Sequence, residues 1–354
     1  MKIIYYLIFL LVISEKVFSS NVFESSFFNI EVETLNAKES KENSINNVKH
    51  ISFLKLMDKI LNDEYRKKIN KIIGINTTYD QLIKNIIIEN EIITENKYIA
   101  KIKINYEKEK IVNFLRNNSI NYTDLESDPF LLVATYNINF DKIGLDKKNS
   151  FNNLLKYKVE NDSSLIKYFF PNLDSNDRYI LPYNKIINED LKAFDQFLDK
   201  YKLSHLIIIN FTKLNEKNKI DITIKIYDKK VIYDVGKLNY NDLQFNTSDK
   251  LYNFLFDETL FFISEWWKKK YQINNNKFDI INCNINAKNF NELIKINTDI
   301  INLSQVKYIN KKKIKMNSNS IEIYYYGNLD ILIKSLSSSN NLYINNNECI
   351  ITAK

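Results

Sequence analysis

Apolar residues alternate with polar ones in some segments and recur at helical spacing in others, so the chain divides into short elements of both kinds. The alternation at Phe28–Val32 predicts a half-buried strand, and the spacing over Ala37–Leu61 predicts one long helix. A second helix is predicted at Tyr79–Ile87. The strands Ile88–Thr94 and Tyr98–Tyr106 follow as a hairpin.

The next part of the chain begins with a continuous apolar run at Phe130–Tyr136, which indicates a strand buried on both faces. A strand at Tyr179–Pro182, a helix at Glu189–Lys202 and a strand at His205–Thr212 are predicted to form a parallel crossover. An antiparallel hairpin follows, with strict alternation over Lys219–Tyr227. A long helix is predicted to close this part of the chain.

The last eighty residues have the predicted order β-α-β-β-α-β, which is typical of a split-βαβ sandwich. A short strand at Cys349–Thr352 extends it. The predicted fold class is therefore α+β or α/β, with three small mixed domains in series after a signal peptide. The predicted boundaries are 1–19 for the signal peptide, 20–127 for an N-terminal α+β domain, 128–274 for a middle α/β domain and 275–354 for the C-terminal domain.

The N-terminus has the pattern of a secretory signal. Lys2 precedes an apolar run at Ile3–Ile13, which is shorter than the roughly 20 residues that a membrane span needs. We predict cleavage after Ser19, and an uncleaved anchor is the alternative. The expected location is the periplasm or the extracellular space, with no transmembrane span in the mature chain.

Composition limits the chemistry that the chain is expected to perform. With 4 Gly, 3 Pro, 2 His and 2 Cys in 354 residues, glycine-rich nucleotide loops, zinc sites and histidine-based catalysis are not expected. The formal net charge of +7 is too small to indicate a nucleic-acid-binding protein. We predict no catalytic, cofactor-binding or metal-binding residues.

Two short motifs run counter to this expectation. Ser52 and Ser164 each precede a lysine by three residues, as in serine enzymes that use a lysine base. Partner motifs for that chemistry are missing from the sequence, and lysine is abundant. His50 and His205 are predicted to be boundary and strand-edge residues.

Cys283 and Cys349 fall in the first and last strands of the third domain. An exported protein permits a disulfide between them, and two separate thiols are the alternative. A run of aromatic and basic residues at the end of the long helix is a candidate contact surface, although a helix end with inward tryptophans is the simpler interpretation. The run is Trp266, Trp267, Lys268, Lys269 and Lys270. Tyr324–Tyr326 places aromatic side chains on both faces of a strand.

Six segments carry a resemblance to known proteins: Phe28–Leu35, Lys97–Phe114, Asp128–Tyr136, Tyr179–Pro182, Leu198–Phe211 and Phe290–Leu342. Together they resemble an uncharacterised family of exported bacterial envelope proteins that carry a domain of unknown function. Ala134 departs from this pattern, where proline is expected. The middle domain also resembles the α/β domains of periplasmic accessory proteins of the Tol, curli and flagellar-assembly type.

The resemblance implies a non-enzymatic accessory or scaffold protein that binds an envelope protein assembly. Two alternatives remain. The basic runs favour a binder of anionic envelope surfaces or glycans, and the many carboxylates allow a carboxylate-based cell-wall hydrolase.

Overall fold

A computed structural model describes residues 22–33, 36–73, 79–138, 141–145, 149–214, 219–241, 245–315, 318–345 and 348–354. The predicted signal peptide at 1–19 lies outside these ranges. The described residues form ten helices and three sheets, which confirms the mixed α/β class. The described residues separate into two compact units, one made of those within 22–56 and 79–108 and the other of those within 57–73 and 109–354. The domain boundaries near 127 and 274 stay predictions.

The helices and strands are numbered in chain order. The helices are α1 (Ala37–Ile60), α2 (Asp63–Ile72), α3 (Lys108–Asn117), α4 (Ser150–Glu160), α5 (Ser175–Ile180), α6 (Tyr183–Ile187), α7 (Leu191–Tyr201), α8 (Ser248–Lys270), α9 (Phe290–Ile301) and α10 (Leu329–Ser339). The strands are β1 (Phe28–Glu33), β2 (Ile83–Ile93), β3 (Lys97–Tyr106), β4 (Phe130–Ile138), β5 (Asp141–Ile143), β6 (Tyr168–Phe169), β7 (His205–Leu214), β8 (Lys219–Asp228), β9 (Val231–Asn241), β10 (Phe278–Asn286), β11 (Val306–Ile314), β12 (Ser318–Tyr326), β13 (Asn340–Asn345) and β14 (Glu348–Ala353).

The first unit contains a three-stranded antiparallel sheet in the order β1-β3-β2. Alternate residues of β3, from Tyr98 to Tyr106, are buried, while lysines lie on the opposite face. The buried hydroxyl of Tyr106 lies 2.6 Å from that of Ser52 in α1, and the Phe53 ring meets the Tyr106 ring edge-on. The sheet therefore packs its apolar face against α1, as the alternation predicts.

The helix predicted at Tyr79–Ile87 is wrong. Tyr79–Leu82 forms a single 3-10 turn, and β2 begins at Ile83. Ile86 and Ile88 pair with the buried Ile104 and Ile102 of β3. Pairing of β-branched side chains across strands outweighs a helical periodicity that rests on few positions.

The second unit contains a sheet in the order β5-β4-β7-β8-β9, with β6 paired to β4. The pairs β7–β8 and β8–β9 are antiparallel, which confirms the predicted hairpin. The parallel pair is also present, but it joins β4 to β7. Both strands are buried on both faces over most of their length, so their continuous apolar runs match their central position.

The strand predicted at Tyr179–Pro182 is wrong. Ser175–Ile180 forms α5, which Asp174 and Asp177 begin with a reciprocal capping box. Pro182 then occupies the N-cap position of α6. The signal present in the sequence was the spacing of the two aspartates, because an N-cap aspartate and an acidic side chain three residues later each accept a hydrogen bond from the other's backbone amide.

The C-terminal sheet has the order β11-β12-β10-β14-β13. The strand β12 lies between β10 and β11 and is antiparallel to both, which is the split arrangement that the element order predicts. The strand predicted at Cys349–Thr352 is present as β14 and belongs to this sheet, which confirms the prediction. It pairs in parallel with β10, and β13 forms the edge. The hairpin β13–β14 reverses the chain and brings β14 inward.

Cys283 and Cys349 form a disulfide in this sheet. Their Cα atoms are 4.5 Å apart, on the adjacent strands β10 and β14, and both side chains are buried. The bond therefore joins the first strand of the C-terminal sheet to the last, across 66 residues of sequence.

Reduction of this disulfide is expected to lower the free energy of unfolding by about 2–5 kcal/mol, because the bond restricts the unfolded chain over a long loop. Urea unfolding with and without a reductant measures the difference. The double variant Cys283→Ala with Cys349→Ala is the control, since its unfolding should not respond to the reductant. Equal midpoints for the oxidised and reduced wild-type protein would contradict the prediction.

Candidate functional site

In the part of the chain that the structure describes, α9 and α10 cover one face of the C-terminal sheet. In β12, Ile321, Ile323 and Tyr325 are buried in the core that α9 and α10 form with the sheet. The residues between them, Glu322 and Tyr324, point to the opposite face. Large side chains on that second face are therefore available to a ligand.

Five side chains form an apolar cluster on the uncovered face, and we call this cluster the aromatic face. It consists of Phe278, Ile280, Tyr308, Tyr324 and Tyr326. Phe278 is 51% exposed, Ile280 45% and Tyr308 47%. Such a concentration of exposed apolar surface on neighbouring strands is typical of a binding surface.

The register of three strands brings this cluster together. Phe278 of β10 is opposite Tyr326 of β12, and Ile280 is opposite Tyr324. On the other side of β12, Tyr308 of β11 is opposite Tyr324, and their rings stack with centroids 4.1 Å apart. The rings thus form two adjacent rows across the strands.

Cationic side chains border the rings. The Lys307 Nζ lies 4.2 Å from the centroid of the Phe278 ring, and the Arg116 guanidinium lies 4.3 Å from that of Tyr326. Arg116 also donates to the Ser304 carbonyl at 2.6 Å, which fixes its position. Cation–π contacts of this kind hold the rings in place and leave positive charge at the margin of the face.

A polar group follows the rings along the same face. Glu322 accepts a hydrogen bond from the Asn310 amide at 3.0 Å and pairs with Lys312 at 3.0 Å. The hydrogen bond from Lys312 is the main reason that the pKa of Glu322 lies below its usual range, so this carboxyl group is charged at neutral pH. The pKa of Tyr324 is raised, chiefly by a hydrogen bond with Tyr308, so its hydroxyl keeps its proton.

Only part of the predicted surface at the end of α8 is accessible. Trp267 is 1% exposed and donates from Nε1 to the Leu125 carbonyl, and Lys268 is 3% exposed. Trp267 and Lys268 are therefore structural residues, and the prediction that they belong to an accessible contact surface is wrong. Lys270 is exposed and lies over the Trp266 ring, and Lys269 is also exposed.

Lys268 is held by a buried ion cluster between α2 and α8. Its Nζ lies 2.7 Å from the Glu265 carboxylate, which also pairs with Arg66 of α2 at 3.1 Å. Glu265 accepts a third contact from the Asp63 amide at 2.8 Å. Burial lowers the pKa of Lys268, whereas Glu265 opposes this shift.

The two serine–lysine motifs are not arranged as catalytic pairs. Ser52 meets Tyr106, as described above, and Lys55 lies over the Phe28 ring. Ser164 donates to the carboxylate of Asp162. Lys167, three residues further on, pairs with Glu126 at 2.8 Å.

The two histidines are engaged in local contacts. His50 Nδ1 lies 2.8 Å from the Tyr79 hydroxyl, and His205 Nδ1 lies 3.1 Å from Asp228. No group of three or more His, Cys, Asp or Glu side chains suited to a metal ion occurs in the ranges that the structure describes. Within the same ranges, no helix is both long and apolar enough to cross a membrane.

Comparison with known proteins assigns the chain to no family. No family model matches the chain. No curated protein matches it either. The resemblance to exported envelope proteins therefore stays a prediction.

Sequence reasoning identified Tyr324–Tyr326 but missed Phe278, Tyr308 and Lys307. Alternation was visible in both flanking strands. The convergence of the side chains depends on strand register, which a single sequence does not reveal.

Replacement of Glu265 by glutamine is expected to lower the free energy of unfolding by about 3 kcal/mol, because Arg66 and Lys268 would keep buried charges without their shared carboxylate. Urea unfolding followed by circular dichroism measures the loss. Glu160→Gln is the matched control, since it breaks an exposed pair with Lys156 and should cost less than about 0.5 kcal/mol. Similar losses for both variants would contradict this role of Glu265.

Proposed function

We propose that the protein is a non-enzymatic exported protein that binds a polymer of the cell envelope through the aromatic face. The observation that carries this proposal is the exposure of Phe278, Ile280 and Tyr308 on an uncovered sheet face. An exposed cluster of this kind costs solubility, and binding a ligand provides a reason for it. The signal pattern at 1–19 supports a location outside the cytoplasm.

Side-chain chemistry favours binding over catalysis. The rings, amides and cations of the face offer stacking, hydrogen bonds and charge. The carboxylate of Glu322 is paired with Lys312, so it is poorly suited to accept a proton from a substrate.

A protein partner is the second candidate, as expected for an accessory or scaffold component of an envelope assembly. Helix α9 favours it, because Phe290, Ile294 and Ile301 are exposed along the helix. If the partner is a protein bound by α9, Ile294→Lys would disrupt the assembly, whereas substitutions in the aromatic face would leave it intact. Sedimentation of the assembly from each variant separates the two candidates.

The triple variant Phe278→Ser, Ile280→Ser and Tyr308→Ser is expected to lose most of its retention in the envelope fraction, because the apolar contact area of the face is removed. Fractionation of cells followed by quantitative immunodetection measures the retained share. Tyr179→Ser is the matched control, since Tyr179 is 82% exposed on α5 and lies outside the aromatic face.

The buried side of the sheet is unchanged in this variant, and thermal unfolding verifies that it folds. Retention equal to that of the wild-type protein would overturn the proposed function.

A further inference from the structure

The aromatic face combines three kinds of contact that few ligands need together. Its rings lie at one end of the sheet face, its polar group lies in the middle, and lysines follow the edge strand β11. A ligand that uses all three must have apolar ring faces, hydrogen-bond donors and negative charge.

The rings are suited to saturated ring faces as well as planar ones. An aromatic ring has a negative face, which attracts the weakly positive C–H groups that a sugar ring presents on its flat sides. Tyr308 is nearly half exposed beyond its stack with Tyr324, and Phe278 is exposed beside Tyr326. These positions offer more than one ring to a chain of ring units.

The polar group requires hydrogen-bond donors. An ionised carboxylate such as Glu322 accepts hydrogen bonds only, and the Asn310 amide beside it both donates and accepts. On the other side of Glu322, Asn282 of β10 is its register partner. Hydroxyl groups in pairs satisfy such a set, whereas phosphate oxygens offer no donor and are repelled by the carboxylate.

The edge strand adds positive charge. Lys307 and Lys312 point to the outer face, as their contacts with Phe278 and Glu322 show. Lys313 is opposite Ser320, in the register of the same face, and it is exposed. Residues 275–354 contain ten lysines against six acidic side chains, so this part of the chain has a positive balance.

We infer that the ligand of the aromatic face is an acidic polysaccharide, with sugar rings on Phe278 and Tyr308, hydroxyl groups on Glu322 and carboxylate groups on the lysines of β11. The inference rests on the proposed function and specifies its ligand. Single-stranded nucleic acid is the competing class, since its bases also stack on aromatic rings.

The test uses the full-length protein and three probes. They are a soluble hexuronate polymer, the same polymer with its carboxyl groups reduced to alcohols, and single-stranded oligodeoxythymidine. Titration calorimetry measures the Kd of each. The hexuronate polymer is expected to bind most tightly, and its affinity should fall with rising salt because exposed charges are screened.

Variants distinguish the two ligand classes by the direction of the change. Tyr308→Ala should weaken polysaccharide binding about tenfold, as the loss of one stacking ring does. Glu322→Gln should also weaken it, because a charged acceptor for hydroxyl groups is lost. For a nucleic acid the same Glu322→Gln change would strengthen binding, because phosphate oxygens have no hydrogen bond to Glu322 to lose and only repulsion is removed, whereas the polysaccharide loses a hydroxyl contact. Glu160→Gln, on α4, is the control and should leave the Kd unchanged.

Tighter binding of the oligonucleotide, with a gain on Glu322→Gln, would overturn the inference, and so would failure of all three probes to bind. In either case the proposed function is judged separately, by retention of the triple variant in the envelope fraction. If the aromatic face is needed for retention but does not bind the polysaccharide, the proposed function is supported and only the assignment of this ligand is wrong.

Discussion

Two-residue alternation in β12 is the constraint on which the C-terminal sheet depends. Each buried isoleucine of this central strand places its neighbour on the opposite side. Because α9 and α10 pack against one side only, the other side is left to water or to a ligand. The same strand thus supplies the core that stabilises the sheet and the rings that form the aromatic face, and a register shift of one residue would exchange the two roles.

The elements with long, regular patterns were predictable from sequence. Helix α1, the β8–β9 hairpin and the β-α-β-β-α-β order agree with their apolar spacing. The structures of segments 79–87 and 179–182 were not predictable, because short apolar runs fit a helix and a strand equally well. Pairing with β3 makes most of the first segment a strand, and a capping box of two aspartates begins the helix that includes the start of the second.

The candidate site was predictable only in part, for a similar reason. A tyrosine triplet in a strand indicates an exposed ring without any knowledge of its neighbours. Burial of Trp267 and Lys268 depends on contacts with residues far away in sequence, including Leu125 and the Asp58 carbonyl. A helix end rich in lysine looks accessible in sequence, and Glu265 explains why one of these lysines is not.

The disulfide between β10 and β14 also determines how the C-terminal sheet responds to mechanical tension. A pull on the chain beyond Cys349 would pass through the covalent bond directly into β10. The segment between the two cysteines, which includes β11, β12 and both covering helices, would then carry none of that load. The rings on β11 and β12 would therefore be shielded from tension for as long as the bond is oxidised, whereas Phe278 and Ile280 of β10 would lie in the path of the force.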